Sequence, residues 1–157
     1  MRASSDTFVV QGFSNSVVST EHLFLGDNRL EGSFPANFGE FTTLKSIHLY
    51  QNTLTGSLPN LSGFAVLKEL QLYFAWLTGT IPSDWGELGQ IESLDVSHNI
   101  ALSGILPPTL KLLPNLQYLD LRNTRLSGAL PDLIDNMTES IGKWIPSCTN
   151  NYTGLSF

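Results

Sequence analysis

Residues 47–59, Ile-His-Leu-Tyr-Gln-Asn-Thr-Leu-Thr-Gly-Ser-Leu-Pro, carry a pattern that occurs five times along the chain and decides the fold. The same pattern begins at residues 23, 70, 94 and 119, and each copy ends with proline. The recurring glycines, at positions 32, 56, 79, 104 and 128, are 23 to 25 residues apart. A fixed period of this length indicates a solenoid, in which each repeat forms one coil and packs against its neighbours.

Each coil is predicted to begin with a short strand. In a Leu-x-Leu segment the leucines point into the core and the intervening residue points to the other face. The asparagine at positions 28, 52 and 99 can satisfy backbone groups as the chain turns away, whereas Ala75 and Thr124 take this position in the other repeats. The glycine permits a torsion or close approach that a side chain would block. After each proline we expect short helical turns on the convex side. The residues predicted to pack inward from that side are Phe38, Phe41, Leu61, Phe64, Trp85, Leu88, Leu110 and Leu113.

The outward residues of the five strands form columns across the expected sheet. One column holds residues 24, 48, 71, 95 and 120, and the next holds residues 26, 50, 73, 97 and 122. Aromatic residues concentrate in the middle of this face, and exposed aromatics rimmed by polar groups are typical of binding hot spots. Packing of the rings as cross-strand pairs is the alternative explanation. The predicted binding residues of this concave face are Phe24, His48, Tyr50, Gln71, Tyr73, Phe74, Asp95, His98, Asp120 and Arg122.

The composition argues against several classes of partner. The chain has a formal net charge of −6 with 8 Lys+Arg, so it lacks the basic surface that nucleic acid or anionic lipid requires. No apolar run approaches the roughly 18 residues of a membrane span, so membrane insertion is not expected. Cys148 is the single cysteine, and no Cys/His cluster has metal-ligand spacing. We therefore expect no metal and no cofactor.

The chain is interpreted as a single domain, residues 1–157. Residues 1–19 are predicted to form an irregular N-terminal layer, and residues 20–131 contain five repeats of about 24 residues. Residues 132–157 are predicted to form a degenerate last repeat and a C-terminal cap or tail. Three Asn-x-Ser/Thr sequons make Asn60, Asn136 and Asn151 candidate glycosylation sites.

A catalytic role is weighed on the acidic residues. Asp95 and Asp120 share a column on adjacent coils, which allows the separation of roughly 5 Å found in retaining glycosidases. A shallow open face, however, is not expected to desolvate a carboxylate as an acid catalyst requires. Asp95, Ser97 and His98 follow one another along one strand, where a triad geometry is not reached without strain. The sequence therefore predicts that the protein is not an enzyme.

Five segments carry a family resemblance: LEGSFP, LTGSLP, LTGTIP, LSGILP and LSGALP. They resemble the plant-specific class of leucine-rich repeats, which occurs in receptor-like kinases, receptor-like proteins and polygalacturonase-inhibiting proteins. The resemblance implies an α/β repeat solenoid, a right-handed superhelix with a concave parallel β-sheet and short helical or 3-10 turns on the convex side. It also implies a second short sheet near the Leu-x-Gly segments. The paired-cysteine N-terminal cap of the family is absent from the sequence.

The resemblance further implies an extracellular or cell-surface role in ligand binding. We therefore predict a non-catalytic recognition module that binds a protein or peptide through its concave face, in a receptor-like or inhibitor-like system. Two alternatives stay open from the sequence: a carbohydrate ligand, and a structural role in assembly through an exposed end of the solenoid. The identity of the ligand and the oligomeric state are not determined by the sequence.

Overall fold

The computed structural model describes residues 21–128, which contain the first four repeats and the strand and glycine of the fifth. The predicted terminal layers, residues 1–19 and 132–157, lie outside the described residues. A 3-10 helix follows the strands of the first, third and fourth repeats, whereas the second repeat has only turns after Pro59, where a helical turn was expected. The strands are β1 (His22–Phe24), β2 (Glu31–Gly32), β3 (Ser46–His48), β4 (Thr53–Leu54), β5 (Glu69–Gln71), β6 (Thr78–Gly79), β7 (Ser93–Asp95), β8 (Ala101–Ile105), β9 (Tyr118–Asp120) and β10 (Arg125–Ser127). The 3-10 helices are Phe38–Glu40, Ser83–Glu87 and Pro108–Leu112.

One strand from each repeat contributes to a five-stranded parallel sheet, in the order β1-β3-β5-β7-β9. The register aligns Leu23, Ile47, Leu70, Leu94 and Leu119 across the sheet. Because equivalent residues lie side by side, the columns read from the sequence are the columns of the sheet. The sheet order and register confirm the predicted repeat solenoid, in which each coil adds one strand.

Short strands beside the recurring glycines form a second set of parallel pairs. They make a three-stranded sheet, β10-β8-β6, and a two-stranded sheet, β2-β4, as the resemblance implied. The five glycines have φ between 81° and 99°, which side chains rarely adopt. At Gly104 an added Cβ would also lie 2.7 Å from Thr80 Cγ2 of the preceding coil. The repeat therefore requires glycine here both for its torsion and for the contact between coils.

The core lies between the concave sheet and the convex segments. Ile47 and Leu70, which point inward from neighbouring strands, are at most 1% exposed. On the convex side the indole N–H of Trp85 donates to the carbonyl oxygen of Pro59 at 3.0 Å. Each buried aliphatic side chain contributes about 1.5–3 kcal/mol, which a coil gains only when its neighbours cover it. The residues predicted to pack inward from the convex side are buried, with Phe41 partly buried: Phe38, Leu61, Phe64, Trp85, Leu88, Leu110 and Leu113.

Buried asparagines join one coil to the coil before it. Asn99 is fully buried, and its Oδ1 accepts hydrogen bonds from the backbone N–H groups of Ala75 and Leu77 at 3.2 and 2.9 Å. Asn52 bonds to the first coil in a similar way: its Oδ1 accepts from the backbone N–H of Leu30, and its side-chain N–H donates to the carbonyl oxygen of Leu25. Thr124, in the same position, donates its hydroxyl to a carbonyl oxygen of its own coil at 2.8 Å. The two amides thus satisfy buried backbone groups at the bend, as the sequence predicted.

Candidate functional site

Aromatic side chains form a continuous series across the concave sheet, which we call the ring ladder. Consecutive ring centroids are 4.0 to 6.3 Å apart. The ladder crosses four neighbouring coils, a distance of about 14 Å at about 4.8 Å per strand. It contains all three histidines of the chain. Its members are His22, Phe24, His48, Tyr50, Tyr73, Phe74 and His98.

Two stacked tyrosines form the centre of the ring ladder. The rings of Tyr50 and Tyr73 are 4.6 Å apart with an interplanar angle of 4°. The other side of the Tyr50 ring lies against Gly26, where an added Cβ would be 2.4 Å from Tyr50 Cζ. Leu49 and Leu72, the inward neighbours of the two tyrosines, are fully buried. The two rings therefore share one direction because their strands are in register.

The ends of the ring ladder keep large solvent-facing surfaces. Phe24 is 60% exposed and Phe74 is 48% exposed. His48 lies next to Phe24, and its Nε2 is 3.1 Å from Glu69 Oε2. His98 stacks on Phe74, with ring centroids 4.0 Å apart. The ladder thus combines exposed apolar rings with imidazoles that bear polar nitrogen atoms.

The C-terminal end of the concave face contains acidic groups that the sequence placed among its exposed residues. Asp95 is 6% exposed and Asp120 is 2% exposed, so these two predicted binding residues are largely buried, although Asp95 still lines the cavity on this face. Asp120 accepts hydrogen bonds from Arg122 Nε at 2.9 Å and from the Arg122 backbone N–H at 3.0 Å. The hydroxyl of Tyr118 donates to the same carboxylate at 3.3 Å. The buried carboxylate of Asp120 therefore holds Arg122 and Tyr118 in place at the surface.

The two carboxyl groups experience opposite electrostatic environments. Burial raises the pKa of Asp95, and the nearby charge of Asp120 raises it further, while hydrogen bonds from Ser97 oppose this. Burial also acts to raise the pKa of Asp120, but the hydrogen bonds and charge of Arg122 outweigh it and lower that pKa. Burial is likewise the main reason that the pKa of Tyr118 is raised to about 12. Asp95 is thus more buried than an open concave face predicts, although nothing here places it as an acid catalyst.

The arrangement around Asp95 is nevertheless unlike a catalytic relay. The backbone N–H of Ser97 donates to Asp95 Oδ1 at 2.9 Å, and Ser97 is 2% exposed. The His98 ring stacks on Phe74, and its Nδ1 lies 2.9 Å from the side-chain nitrogen of Asn123. The imidazole is thus engaged away from the serine, whereas a triad requires a base that reaches its nucleophile.

A shallow cavity of about 510 Å³ lies beside the ring ladder. Gln71, Tyr73, His98, Tyr118 and Arg122 are among the residues that line it. Its walls offer one guanidinium, an amide, an imidazole, two phenol hydroxyls, two serine hydroxyls and the carboxyl group of Asp95. The cavity therefore suits a polar segment that lies across the sheet next to the aromatic rings.

Sequence reasoning missed the backbone conformation at the end of each concave strand. Asp27, Gln51, Phe74, His98 and Asn123 occupy equivalent positions and have φ between 52° and 57°. Asn, Asp and His are enriched in this left-handed region, whereas a bulky aromatic residue there is an outlier. The recurrence of Asp, His and Asn at this position was a signal for the turn.

Trp76, with φ of 56° and 65% exposure, was also missed. The equivalent positions hold the polar residues Arg29, Thr53 and Arg125 in three other repeats and Ile100 in the fourth. A tryptophan at a position that is polar in most repeats was the signal that could have identified Trp76.

Other predicted sites have separate outcomes. Asn60 is exposed, and its Oδ1 accepts hydrogen bonds from the Ser62 backbone N–H and hydroxyl at 3.0 and 2.7 Å. Asn136, Asn151 and Cys148 lie outside the described residues. Among residues 21–128, no group of three or more His, Cys, Asp or Glu residues is placed to hold a metal ion. Within that same range, no helix has the length and apolar character needed to cross a membrane.

Comparison with known proteins points to one family. The Leucine Rich Repeat family model matches residues 19–41 and 115–137. The receptor-like kinase TMK2 of Arabidopsis thaliana is 28% identical over 127 residues, which are 81% of this chain. The match covers 14% of the kinase, so the chain spans about one seventh of the length of this relative.

Solved plant proteins share the fold. A chain of the BIR3–SERK2 complex from Arabidopsis thaliana has a TM-score of 0.67 and is 30% identical, and the match covers 81% of this chain and 72% of that one. The plant peptide hormone receptor RGFR1, in complex with RGF2, has a TM-score of 0.60 at 30% identity. That match covers 76% of this chain and 23% of the receptor chain.

Proposed function

Because the chain belongs to the leucine-rich repeat family, with repeats of the plant-specific class, we propose that it is a non-catalytic recognition module for a peptide ligand. The ligand lies across the concave face, against the ring ladder and the cavity beside it. The observation that carries this proposal is the exposed, continuous ring ladder on an ordered parallel sheet. Aromatic residues that are held rigidly supply contact area at a low cost in conformational entropy.

The orientation of the central rings favours a peptide over a carbohydrate. Sugars stack on the flat faces of aromatic rings, but the facing sides of Tyr50 and Tyr73 cover each other. The outer side of Tyr50 is covered by the first coil at Gly26. At Tyr50 the ring edge and the hydroxyl are therefore what a ligand can reach, and these suit apolar side chains and peptide carbonyl groups. The complex of RGFR1 with RGF2 supports the same ligand class by analogy.

We infer that the module acts outside the cell or at its surface. Its matches among receptor-like kinases and receptor-like proteins support this location. The geometry of the Asn60 sequon, in which Ser62 donates its hydroxyl to the asparagine side chain, is compatible with glycosylation on the convex side. Mass spectrometry of the native protein should find a glycan on Asn60, and an unmodified residue in all copies would count against secretion.

Selection from a phage-displayed library of random 12-residue peptides tests the ligand class and the face together. The immobilised chain should enrich a peptide family, and Tyr73→Ala should weaken its binding at least tenfold, since the central stack is lost. Leu112→Ala, which changes an exposed apolar residue of a convex 3-10 helix, should bind normally. No enrichment above the bare surface, or equal binding by both variants, would refute the proposal. Binding on a glycan array instead would favour the carbohydrate alternative.

A further inference from the structure

The third repeat displays two aromatic residues in an unfavourable backbone conformation. Phe74 and Trp76 have φ of 52° and 56°, a region that bulky side chains seldom occupy. The residue between them is Ala75, where two other described coils have a buried asparagine. Backbone strain that surrounding structure sustains is concentrated at functional sites. The strained pair is thus maintained where the repeat would otherwise favour smaller, polar residues.

A second departure from the repeat pattern lies in the fourth repeat, next to these two aromatic residues. The fourth repeat is one residue longer than the others after Asn99, and Ile100 follows this asparagine at the position that Trp76 takes in the third repeat. Ile100 is 61% exposed, Trp76 is 65% exposed and Phe74 is 48% exposed. The three side chains line one cleft of about 460 Å³ on the flank of the concave sheet. We call it the Trp76 cleft.

The charge of the Trp76 cleft is opposite to that of the whole chain. The chain has a net charge of −6, yet the charged residue that lines the cleft is Arg125, and neither Asp nor Glu is among the described lining residues. Arg125 is exposed. A cation at the rim of an apolar cleft selects a large apolar group with a carboxylate next to it.

The Trp76 cleft is continuous with the ring ladder. Phe74 and His98 line both the cleft and the cavity on the concave face. Their stacked rings, 4.0 Å apart, form the wall between the two. A chain that lies on the ladder therefore reaches the cleft by crossing this wall, without leaving the protein surface.

We propose that the Trp76 cleft docks a large apolar side chain of the peptide ligand, with an acidic residue of the same peptide beside Arg125. This inference rests on the proposed function and specifies the ligand class further. The ring ladder holds the body of the peptide, and the cleft selects one apolar–acidic pair within it.

Blocked dipeptides test the cleft directly, because they are too short to span the ladder. The probes are acetyl-Leu-Glu-amide, acetyl-Leu-Lys-amide and acetyl-Ser-Glu-amide, titrated into the labelled full chain while the indole N–H resonance of Trp76 is followed by NMR. The first dipeptide should shift this resonance with an affinity at least fivefold higher than either of the others. Arg125→Ser should remove the preference for Glu over Lys. Equal shifts with all three probes would overturn the proposal.

The variant Trp76→Asn separates binding from folding. Asparagine tolerates the left-handed conformation, so the melting temperature should stay the same or rise, while shifts of neighbouring cleft resonances with acetyl-Leu-Glu-amide should disappear. Leu112→Ala should keep those shifts. A fall in melting temperature as large as that from a core truncation would show that Trp76 is structural and refute its role in docking.

The same measurements separate the cleft from the ladder. Tyr73→Ala should lose the library-selected 12-residue peptides but keep the dipeptide shifts. If selected peptides bind through Tyr73 while the dipeptides cause no shift, the cleft proposal fails and the proposed function stands. If no peptide is selected, the proposed function fails whatever the dipeptides do.

Discussion

The substitution Gly26→Ala tests the geometry of the ring ladder without removing an aromatic residue. An added Cβ would be 2.4 Å from Tyr50 Cζ, whereas carbon atoms in contact are about 3.5–4.0 Å apart. The Tyr50 ring must therefore move by about 1 Å, and its other face is already stacked on Tyr73. We expect the parallel stack to open, which alters the surface at the centre of the concave face.

The stability change should be small because two effects oppose each other. Loss of the aromatic pair costs about 0.5–1.5 kcal/mol, while replacing glycine with alanine at a compatible backbone position stabilises by about 0.4–1 kcal/mol through the unfolded state. The free energy of unfolding should thus change by less than about 1 kcal/mol. Binding of a library-selected peptide should nevertheless fall about tenfold, since the displaced ring lies at the centre of the proposed hot spot.

Gly89→Ala is the matched control, because an added Cβ at Gly89 meets nothing within 4 Å. It should stabilise the protein by about 0.4–1 kcal/mol and leave peptide binding unchanged. The assays are urea unfolding, peptide affinity, and the ring-proton chemical shifts of Tyr50 and Tyr73. If Gly26→Ala leaves those ring shifts and the affinity as in the wild type, Tyr50 does not lie against Gly26 and the reasoning is refuted.

Further predictions concern the coil contacts and the acidic end. In urea unfolding, Asn99→Ala should lower the free energy of unfolding by about 2–4 kcal/mol, because buried backbone N–H groups lose their acceptor. Asn28→Ala, which changes an exposed asparagine, should lower it by under about 1 kcal/mol. Equal losses in the two variants would contradict this prediction. Arg122→Ala should cost about 1–2 kcal/mol at pH 7, after discounting for its partial exposure. Because Arg122 lowers the pKa of Asp120, the stability that this ion pair contributes is present above pH about 4 and is lost as the pH falls through the folded-state pKa of Asp120. If Arg122→Ala destabilises the protein as much at pH 2 as at pH 7, the ion pair is not the cause. Absorbance titration should show a tyrosine that ionises near pH 12, and this transition should be absent in Tyr118→Phe. Because the pKa of Tyr118 is raised, the stability linked to its protonated form is complete below pH about 10. That stability is lost as the pH rises through 12.

The fold could be predicted in detail because its determinants are local and periodic. The alternation in Leu23-x-Leu25 and its copies identifies the inward side of every strand, and the period aligns the copies with one another. Even the packing from the convex side, as at Trp85, followed from this register. No contact distant in sequence had to be guessed beyond the contact of each coil with the next.

The candidate site could be predicted only as a set of columns. The columns correctly placed Tyr50 beside Tyr73. They did not reveal that Asp95 and Asp120 are buried, because burial within a column depends on the size and direction of the neighbouring Tyr118 and Arg122 side chains.

The amino-acid sequence alone determined the repeat period, the strand register and the side chains that share the concave face, since each depends on spacing along the chain. Only the tertiary structure decided which side chains of that face reach solvent. It also decided that exposed apolar side chains of the third and fourth repeats line one cleft. Trp76 and Ile100 are 24 residues apart in sequence, and they line one cleft because their coils are neighbours in the stack. Such meetings depend on three-dimensional packing between coils, which a one-dimensional period does not encode.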